Sequence, residues 1–205
     1  MMDDKDIQQL DWEKFYSETP SSNIPWESGK PDEQLMELVA SGVIMKGAKI
    51  LDVGCGLGTQ SVYLSKNGFD VTGIDTSKTA IKKARDLAEI SKVKANFIVG
   101  DVTDMPFEDG QFDFVYDRGC LHHLKPKERS LYAFEIRRVL SPKGFLSLLV
   151  FVDVIPPQEG ERLLLPYFKI LNAVQVILRF PGGGERLLIN ALLQKLPQKR
   201  TKIVN

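Results

Sequence analysis

Residues 51–58 read Leu-Asp-Val-Gly-Cys-Gly-Leu-Gly, and this stretch constrains the chain more than any other. The apolar run 49–53 has the makeup of a short buried strand, and residues 59–67 have that of a helix. Glycine stands where backbone must turn tightly or approach a ligand closely, because a Cβ would collide there. Strand, glycine-rich turn and helix together form the ligand-binding corner of a Rossmann-like βαβ unit. Spacing then discriminates between ligands. A dinucleotide fingerprint requires Gly-x-Gly-x-x-Gly. Counted from Gly54 its third glycine falls on Thr59, and counted from Gly56 it falls on Ser61. Both registers fail. The pattern that does stand is Asp-x-Gly-x-Gly-x-Gly, beginning at Asp52.

Three further stretches have the form of a strand closing on an acid. Residues 68–75 end in Asp75, about 20 residues beyond the glycines, where a Rossmann unit places a carboxylate for ribose hydroxyls. Residues 95–102 carry Asp101 and Val102 at their end, and residues 111–117 end in Asp117. Ligands of open α/β sheets collect at the carboxyl ends of strands, so these four ends predict a single site. One Asp after a strand is ordinarily a helix cap or turn former. Four strand ends in order make that explanation insufficient.

Between these strands the apolar periodicity is helical. Residues 7–16 predict a short helix, 19–30 a loop, and Pro31 a helix start that runs until Gly42. Ser77 is positioned to cap a helix reaching Ile90, with Ala80, Ile81, Ala84, Leu87 and Ala88 on its apolar face. Pro126 is expected to open another helix, residues 141–144 to break it, and 145–152 to form a fifth strand. Alternating strands and helices predict an α/β fold: a Rossmann-like, doubly wound, mainly parallel sheet with helices on both faces. Beyond Asp153 the pattern weakens and the carboxyl-terminal strands are atypical. Residues 163–180 are apolar but interrupted by Pro166, Lys169, Asn172, Gln175 and Arg179, which argues against a membrane span. One strand at most is expected there, around 174–180. Residues 181–184 read as a linker, and 185–196 as an amphipathic helix with Leu188, Ala191, Leu192 and Lys195 at helical spacing. The tail 199–202 is basic but short.

Composition narrows the partners. The 205 residues carry 27 basic and 27 acidic side chains, so no global positive field gathers nucleic acid, and none is expected as a partner. The acidic, polar start, Met1 to Asp6, is not that of a signal peptide, and two distant cysteines suggest a reducing compartment; cytoplasm is the expectation. Oligomeric state is not written in the sequence.

The motif Asp52–Gly58 resembles the first motif of class I S-adenosylmethionine-dependent methyltransferases. Two other stretches resemble one branch of that family, holding thiopurine, thiol and halide methyltransferases and tellurite-resistance type enzymes. They are Asp117-Arg118-Gly119-Cys120-Leu121-His122-His123-Leu124, followed by Pro126, Arg129, Tyr132 and Ala133, and the segment with Trp12, Phe15 and Pro25-Trp26-Glu27-Ser28-Gly29. The resemblance implies one structural domain in three parts: residues 1–48 a helical lid, 49–152 the cofactor-binding core, and 153–205 an atypical extension. It implies S-adenosyl-L-methionine as cofactor, contacted by Trp26, Asp52, Gly54, Cys55, Gly56, Gly58, Asp75, Thr76, Asp101, Val102 and Asp117. In the family the acid at Asp101 takes the adenine amine and the next backbone N–H a ring nitrogen. Trp12, Phe15, Pro25, Trp26, Arg118, Cys120 and His123 become lid or acceptor contacts, and the family closes its sheet with two further strands.

The implied reaction is in-line displacement of the methyl group by a small-molecule nucleophile, a thiol or other soft acceptor. His122, with Asp117, is the candidate for catalysis if a base is needed; edge packing of the imidazole is the commoner alternative. No third ligand of suitable spacing accompanies the His122–His123 pair, so no metal is expected. Arg118 is expected to pair with Asp117, Glu128 or Glu135, and Cys55 to be a small packing residue. Two other functions compete: a non-catalytic cofactor-binding scaffold or interaction protein, and an RNA or protein methyltransferase. The second is disfavoured because the segment after the fourth strand lacks the Asn/Asp-Pro-Pro-aromatic sequence of base-amine methylation.

Overall fold

The structure is a computed structural model and describes residues 10–179 and 185–197. In chain order its elements are α1 (Trp12–Glu18), α2 (Glu33–Ala40), β1 (Lys49–Val53), α3 (Thr59–Lys66), β2 (Asp70–Asp75), α4 (Lys78–Ile90), β3 (Asn96–Val99), β4 (Phe112–Arg118), α5 (Arg129–Val139), β5 (Leu140–Phe151), α6 (Pro157–Leu164), β6 (Phe168–Arg179) and β7 (Glu185–Lys195). Short 3-10 turns occupy Ser21–Asn23 and Leu121–His123. The seven strands form one sheet in the order β3-β2-β1-β4-β5-β7-β6. The first five run parallel; β7 lies antiparallel to both β5 and β6.

Strand β1 explains why helices cover both faces. Successive side chains of a strand point to opposite sides, and here both sides are buried. Ile50 joins Leu35, Leu64, Phe114 and Tyr116 in one apolar layer, and Leu51 joins Val115, Tyr132 and Ile136 in the other. Each fully buried aliphatic side chain contributes about 1.5–3 kcal/mol of transfer free energy. Helix α4 begins as its sequence dictates: Ser77 Oγ accepts from Ala80 N at 3.0 Å, and Ala80, Ile81, Ala84 and Ala88 are buried. The order of strands reverses between β1 and β4, so a crevice opens at their carboxyl ends.

Several boundaries differ from expectation. Helix α1 starts at Trp12; the earlier residues of the helix expected over 7–16, residues 7–9, lie outside the described residues, as do 180–184 and 199–202. Helix α5 starts at Arg129 rather than Pro126. The break expected at 141–144 is instead the irregular opening of β5, where the register with β4 shifts between Phe112 and Phe114 and Lys143 takes φ +66°.

The larger correction concerns the last third. Residues 185–195 form β7, not an amphipathic helix, and β6 begins at Phe168, six residues before the expected strand. Leu-rich sequence has good helix propensity, but tertiary context overrides it. Strand β7 is paired along both edges, to β5 from Leu188 to Gln194 and to β6 from Glu185 to Lys195. Its burial follows the sheet: Ala191 and Leu193 are buried in the layer of Leu51, while Leu192, on the alternate face, meets the layer of Ile50. Two closing strands are therefore present. Among the described residues no helix is long and apolar enough to cross a membrane.

Candidate active site

The glycine turn sits over the crevice. Gly54, Gly56 and Gly58 have φ of +63°, +53° and +80°, a left-handed region that side chains with a Cβ rarely adopt. Space is short as well as conformation. A Cβ on Gly54 would lie 2.9 Å from Cys120 Cβ, and one on Gly56 would lie 2.9 Å from the Tyr16 hydroxyl. The turn is braced from β2: Asp75 accepts from Gly56 N and from Ser77 N, each at 2.9 Å. One carboxylate thus ties the turn to the start of α4. Gly54 remains exposed, as does Thr76, while Cys55 is buried.

Beneath the turn lie three buried carboxyls, Asp52, Asp75 and Asp117. Asp52 accepts from Ser61 Oγ at 2.6 Å. Burial, reinforced by Asp117 and Asp75, pushes its pKa up to about 7. Burial also raises Asp75, against the opposing effect of its backbone donors. Such a cluster resists further negative charge and favours a cation. A diphosphate would meet repulsion here; a sulfonium or ammonium group would meet attraction. Cys55 and Cys120 respond alike: burial pushes both thiols well up, which keeps them protonated and argues against either as a nucleophile.

Asp117 does not have the place expected of it. It is fully buried and accepts from Tyr132 Oη at 2.5 Å, Cys120 N at 2.7 Å and Leu121 N at 3.1 Å. Its pKa is pushed up to about 6, burial outweighing these donors. With no exposed face it braces the turn after β4. Asp101 is the opposite case. It is exposed, and one of its oxygens, Oδ1, accepts from Thr103 N and Oγ1 at 2.8 and 2.7 Å; the next residue, Val102, is anchored in the core.

The amino-terminal segment closes over this edge as a cluster of rings. Trp12 meets Phe15, Tyr16, Trp26 and His123 at centroid distances of 5.9, 6.1, 5.9 and 4.9 Å, and Phe15 stacks on Trp26 at 5.3 Å. Pro25 is exposed beside Trp26. Polar latches hold the segment down. Glu13 accepts from Ser77 Oγ (2.7 Å), Thr79 N (3.0 Å) and Thr79 Oγ1 (2.6 Å), and these bonds hold its carboxyl down at about 2. Lys83 Nζ donates to the Tyr16 carbonyl at 2.8 Å, and Thr59 Oγ1 to Glu27 at 2.8 Å. Arg118 donates to Asp32 at 2.9 Å and to the Trp26 carbonyl at 3.4 Å. Its partners therefore lie in the amino-terminal segment rather than at Asp117, Glu128 or Glu135.

Both histidines stand in the 3-10 turn after β4. His122 is buried between His123 and Phe151, 4.4 and 4.5 Å away, and its Nδ1 accepts weakly from Phe151 N at 3.4 Å. Burial drives its pKa well down, helped by His123, Arg186 and Arg129. His123 is brought down to about 4 by burial and by Arg186. Both imidazoles are neutral at physiological pH. No group of three or more His, Cys, Asp or Glu is placed to hold a metal ion among the described residues.

Known proteins resemble this chain over part of its length. Residues 50–144 match the family described as a methyltransferase domain. An uncharacterized methyltransferase of Synechocystis is 35% identical over 106 residues, covering 52% of this chain and 48% of the relative. The chloroplastic tocopherol O-methyltransferase of Arabidopsis thaliana is 40% identical over 122 residues, 58% of this chain and 34% of the relative. The chain thus spans about half or less of the length of these relatives. Among solved structures, 1,6-didemethyltoxoflavin-N1-methyltransferase of Burkholderia thailandensis superposes with a TM-score of 0.75 at 21% identity, covering 94% of this chain and 89% of that one; it was solved with S-adenosylhomocysteine bound. S-adenosylmethionine is the cofactor of such domains. The residues here fit it, with a glycine turn free of Cβ atoms and buried acids suited to its sulfonium.

Several residues of this sheet edge and of the amino-terminal segment over it escaped the sequence reading. Tyr16, next to Phe15, covers Gly56, and its place in the aromatic segment was the available signal. Glu13, Glu27 and Asp32 hold the lid through partners 64, 32 and 86 positions away, which no local pattern announces. Tyr132 stood in a quoted motif, yet its bond to Asp117 is visible only in the fold.

Proposed function

We propose that the protein transfers the methyl group of S-adenosylmethionine to a small-molecule nucleophile held beneath the aromatic lid. The observation that carries this reading is the pairing, at one sheet edge, of a glycine turn and buried acids with an aromatic cluster of Trp12, Trp26 and two neutral histidines. In this assignment Asp75 holds the ribose through the lone pairs its backbone donors leave free. Asp101 and the Val102 N–H take the adenine. Asp52 faces the ammonium and sulfonium side, and Gly54, Cys55, Gly56 and Gly58 supply backbone, with Trp26 and Thr76 at the rim. Residues 1–48 act as the lid, 49–152 as the cofactor core, and 153–205 complete the acceptor side.

The cofactor supplies an activated methyl and a neutral thioether leaving group. The protein's own task is to align the acceptor at about 3 Å from the methyl carbon and exclude water, which accounts for roughly 7–11 kcal/mol of barrier in well-oriented systems. A thiol acceptor, the branch reading, has a pKa of about 8.5 and needs no strong base. A phenolic hydroxyl is the second reading, favoured by the tocopherol-methylating relative. Two free cysteines fit a reducing compartment such as cytoplasm.

Calorimetric titration with S-adenosylhomocysteine tests the cofactor assignment. Binding is expected in the unmutated protein, with at least tenfold loss in Asp75→Ala; a folded protein that binds none ends the proposal. Release of the demethylated cofactor with a panel of thiols and phenols then tests the acceptor class.

A further inference from the structure

We infer that Nδ1 of His123 is the hydrogen-bond partner of the acceptor, so that the acceptor presents an O–H, N–H or S–H group to a flat aromatic slot. This deepens, and rests on, the methyl-transfer reading above. The sequence singled out His122 as the candidate base, but His122 Nδ1 already accepts from Phe151 N. His123 Nδ1 is buried and has no partner among the described residues. An unmade bond at a buried polar atom costs about 1–3 kcal/mol, and a bound group that completes it recovers that cost.

The protonation pattern follows from where water reaches. Of the two ring nitrogens of His123 only Nδ1 is both dry and unpartnered. An orphaned N–H is rarer in proteins than an orphaned acceptor, which places the hydrogen on Nε2 and leaves a lone pair on Nδ1. The ring stays neutral because burial and the Arg186 guanidinium oppose a second proton. A buried lone pair without a partner selects a donor.

The slot itself selects a planar group. Trp12 fixes one side of His123, edge to face at 4.9 Å and 71°. Trp26 faces it more loosely, at 6.4 Å and 46°, and is 40% exposed. The Trp26 side of His123 is thus the side that yields, and an aromatic ring entering as Trp26 moves out stacks favourably on either ring. During transfer the acceptor's lone pair forms the bond to carbon as the carbon–sulfur bond breaks with its electron pair kept by sulfur. The acceptor's proton passes to Nδ1 as the Nε2 proton leaves to water, so the ring stays neutral throughout.

The chain contains two tryptophans, Trp12 and Trp26, and both contact His123, so their fluorescence reports on this slot. Quenching is measured with hydroquinone and with its dimethyl ether, which has the same ring but no O–H, in the presence of saturating S-adenosylhomocysteine. Hydroquinone is expected to bind about tenfold more tightly than the ether. His123→Phe removes that difference while keeping the ring packing, and His123→Asn, whose side-chain oxygen overlays Nδ1, preserves it. S-adenosylhomocysteine affinity stays within twofold throughout. Equal binding of the two probes, no binding of either, or a difference that survives in His123→Phe overturns the inference. Should His123→Phe not fold, the unmutated protein and His123→Asn decide it alone. Failure of the unmutated protein to bind S-adenosylhomocysteine overturns the underlying methyl-transfer reading instead.

Discussion

Replacing Asp52 by Asn separates the stability of this fold from its use. Asp52 is 3% exposed, bonded to Ser61, and shares its surroundings with Asp75 and Asp117. Its carboxyl is displaced from an ordinary 3.8 to about 7, so the folded protein disfavours the ionised form. The sign follows from linkage. Between about pH 4 and pH 7 the unfolded chain gives up this proton before the folded chain does, so stability falls as pH rises through that window and levels above it. At 1.36 kcal/mol per pH unit the ceiling on the cost is about 4 kcal/mol at pH 8 and about 2 kcal/mol at pH 5. Asn keeps the shape and a bonding atom for Ser61 while removing the charge. Relaxation around the site reduces the gain, and we expect Asp52→Asn to stabilise by about 1–3 kcal/mol at pH 8 and by clearly less at pH 5. Urea unfolding at the two pH values, with an unchanged slope against denaturant, measures it. In parallel, affinity for cationic S-adenosylmethionine should fall more than affinity for neutral S-adenosylhomocysteine. A variant equally stable or less stable at pH 8, or a gain independent of pH, would refute the reasoning.

Two further outcomes are expected. Gly56→Ala puts a Cβ 2.9 Å from the Tyr16 hydroxyl on backbone at φ +53°, and should weaken S-adenosylhomocysteine binding at least tenfold in calorimetry; unchanged affinity would mean the turn does not approach the ligand. Glu13→Gln loosens three bonds from the start of α4, so stopped-flow tryptophan fluorescence should record several-fold faster release of S-adenosylhomocysteine with little change in thermal midpoint. Release at the original rate would remove α1 from the role of latch.

The cofactor edge was legible because its signals are local. A glycine needing positive φ, an acid closing a strand and a serine capping α4 are each set by a few neighbouring residues, and Gly54, Asp75 and Ser77 could be read directly. Strand β7 was illegible for the converse reason. Its Leu188, Ala191 and Leu192 recur at helical spacing, and only the open edges of β5 and β6 turn that run into a strand. Asp117 shows a third limit: the sequence marks a carboxylate at a strand end but not the Tyr132 hydroxyl, 15 residues on, that donates to it. Arg118 and Asp32 pair across 86 positions, beyond any pattern in a single sequence.

The placing of β7 between β5 and β6 makes the last strand in sequence the keystone of its end of the sheet. Strand β6 touches no other strand, so a chain stopped after residue 184 would lose the attachment of two strands rather than one. Synthesis must therefore pass residue 195 before this flank can assemble, whereas the glycine turn and its acids are complete some eighty residues earlier. Split or tagged versions of the protein should respect that order, joining at the amino-terminal side of β1 and leaving the β6–β7 pair on one piece.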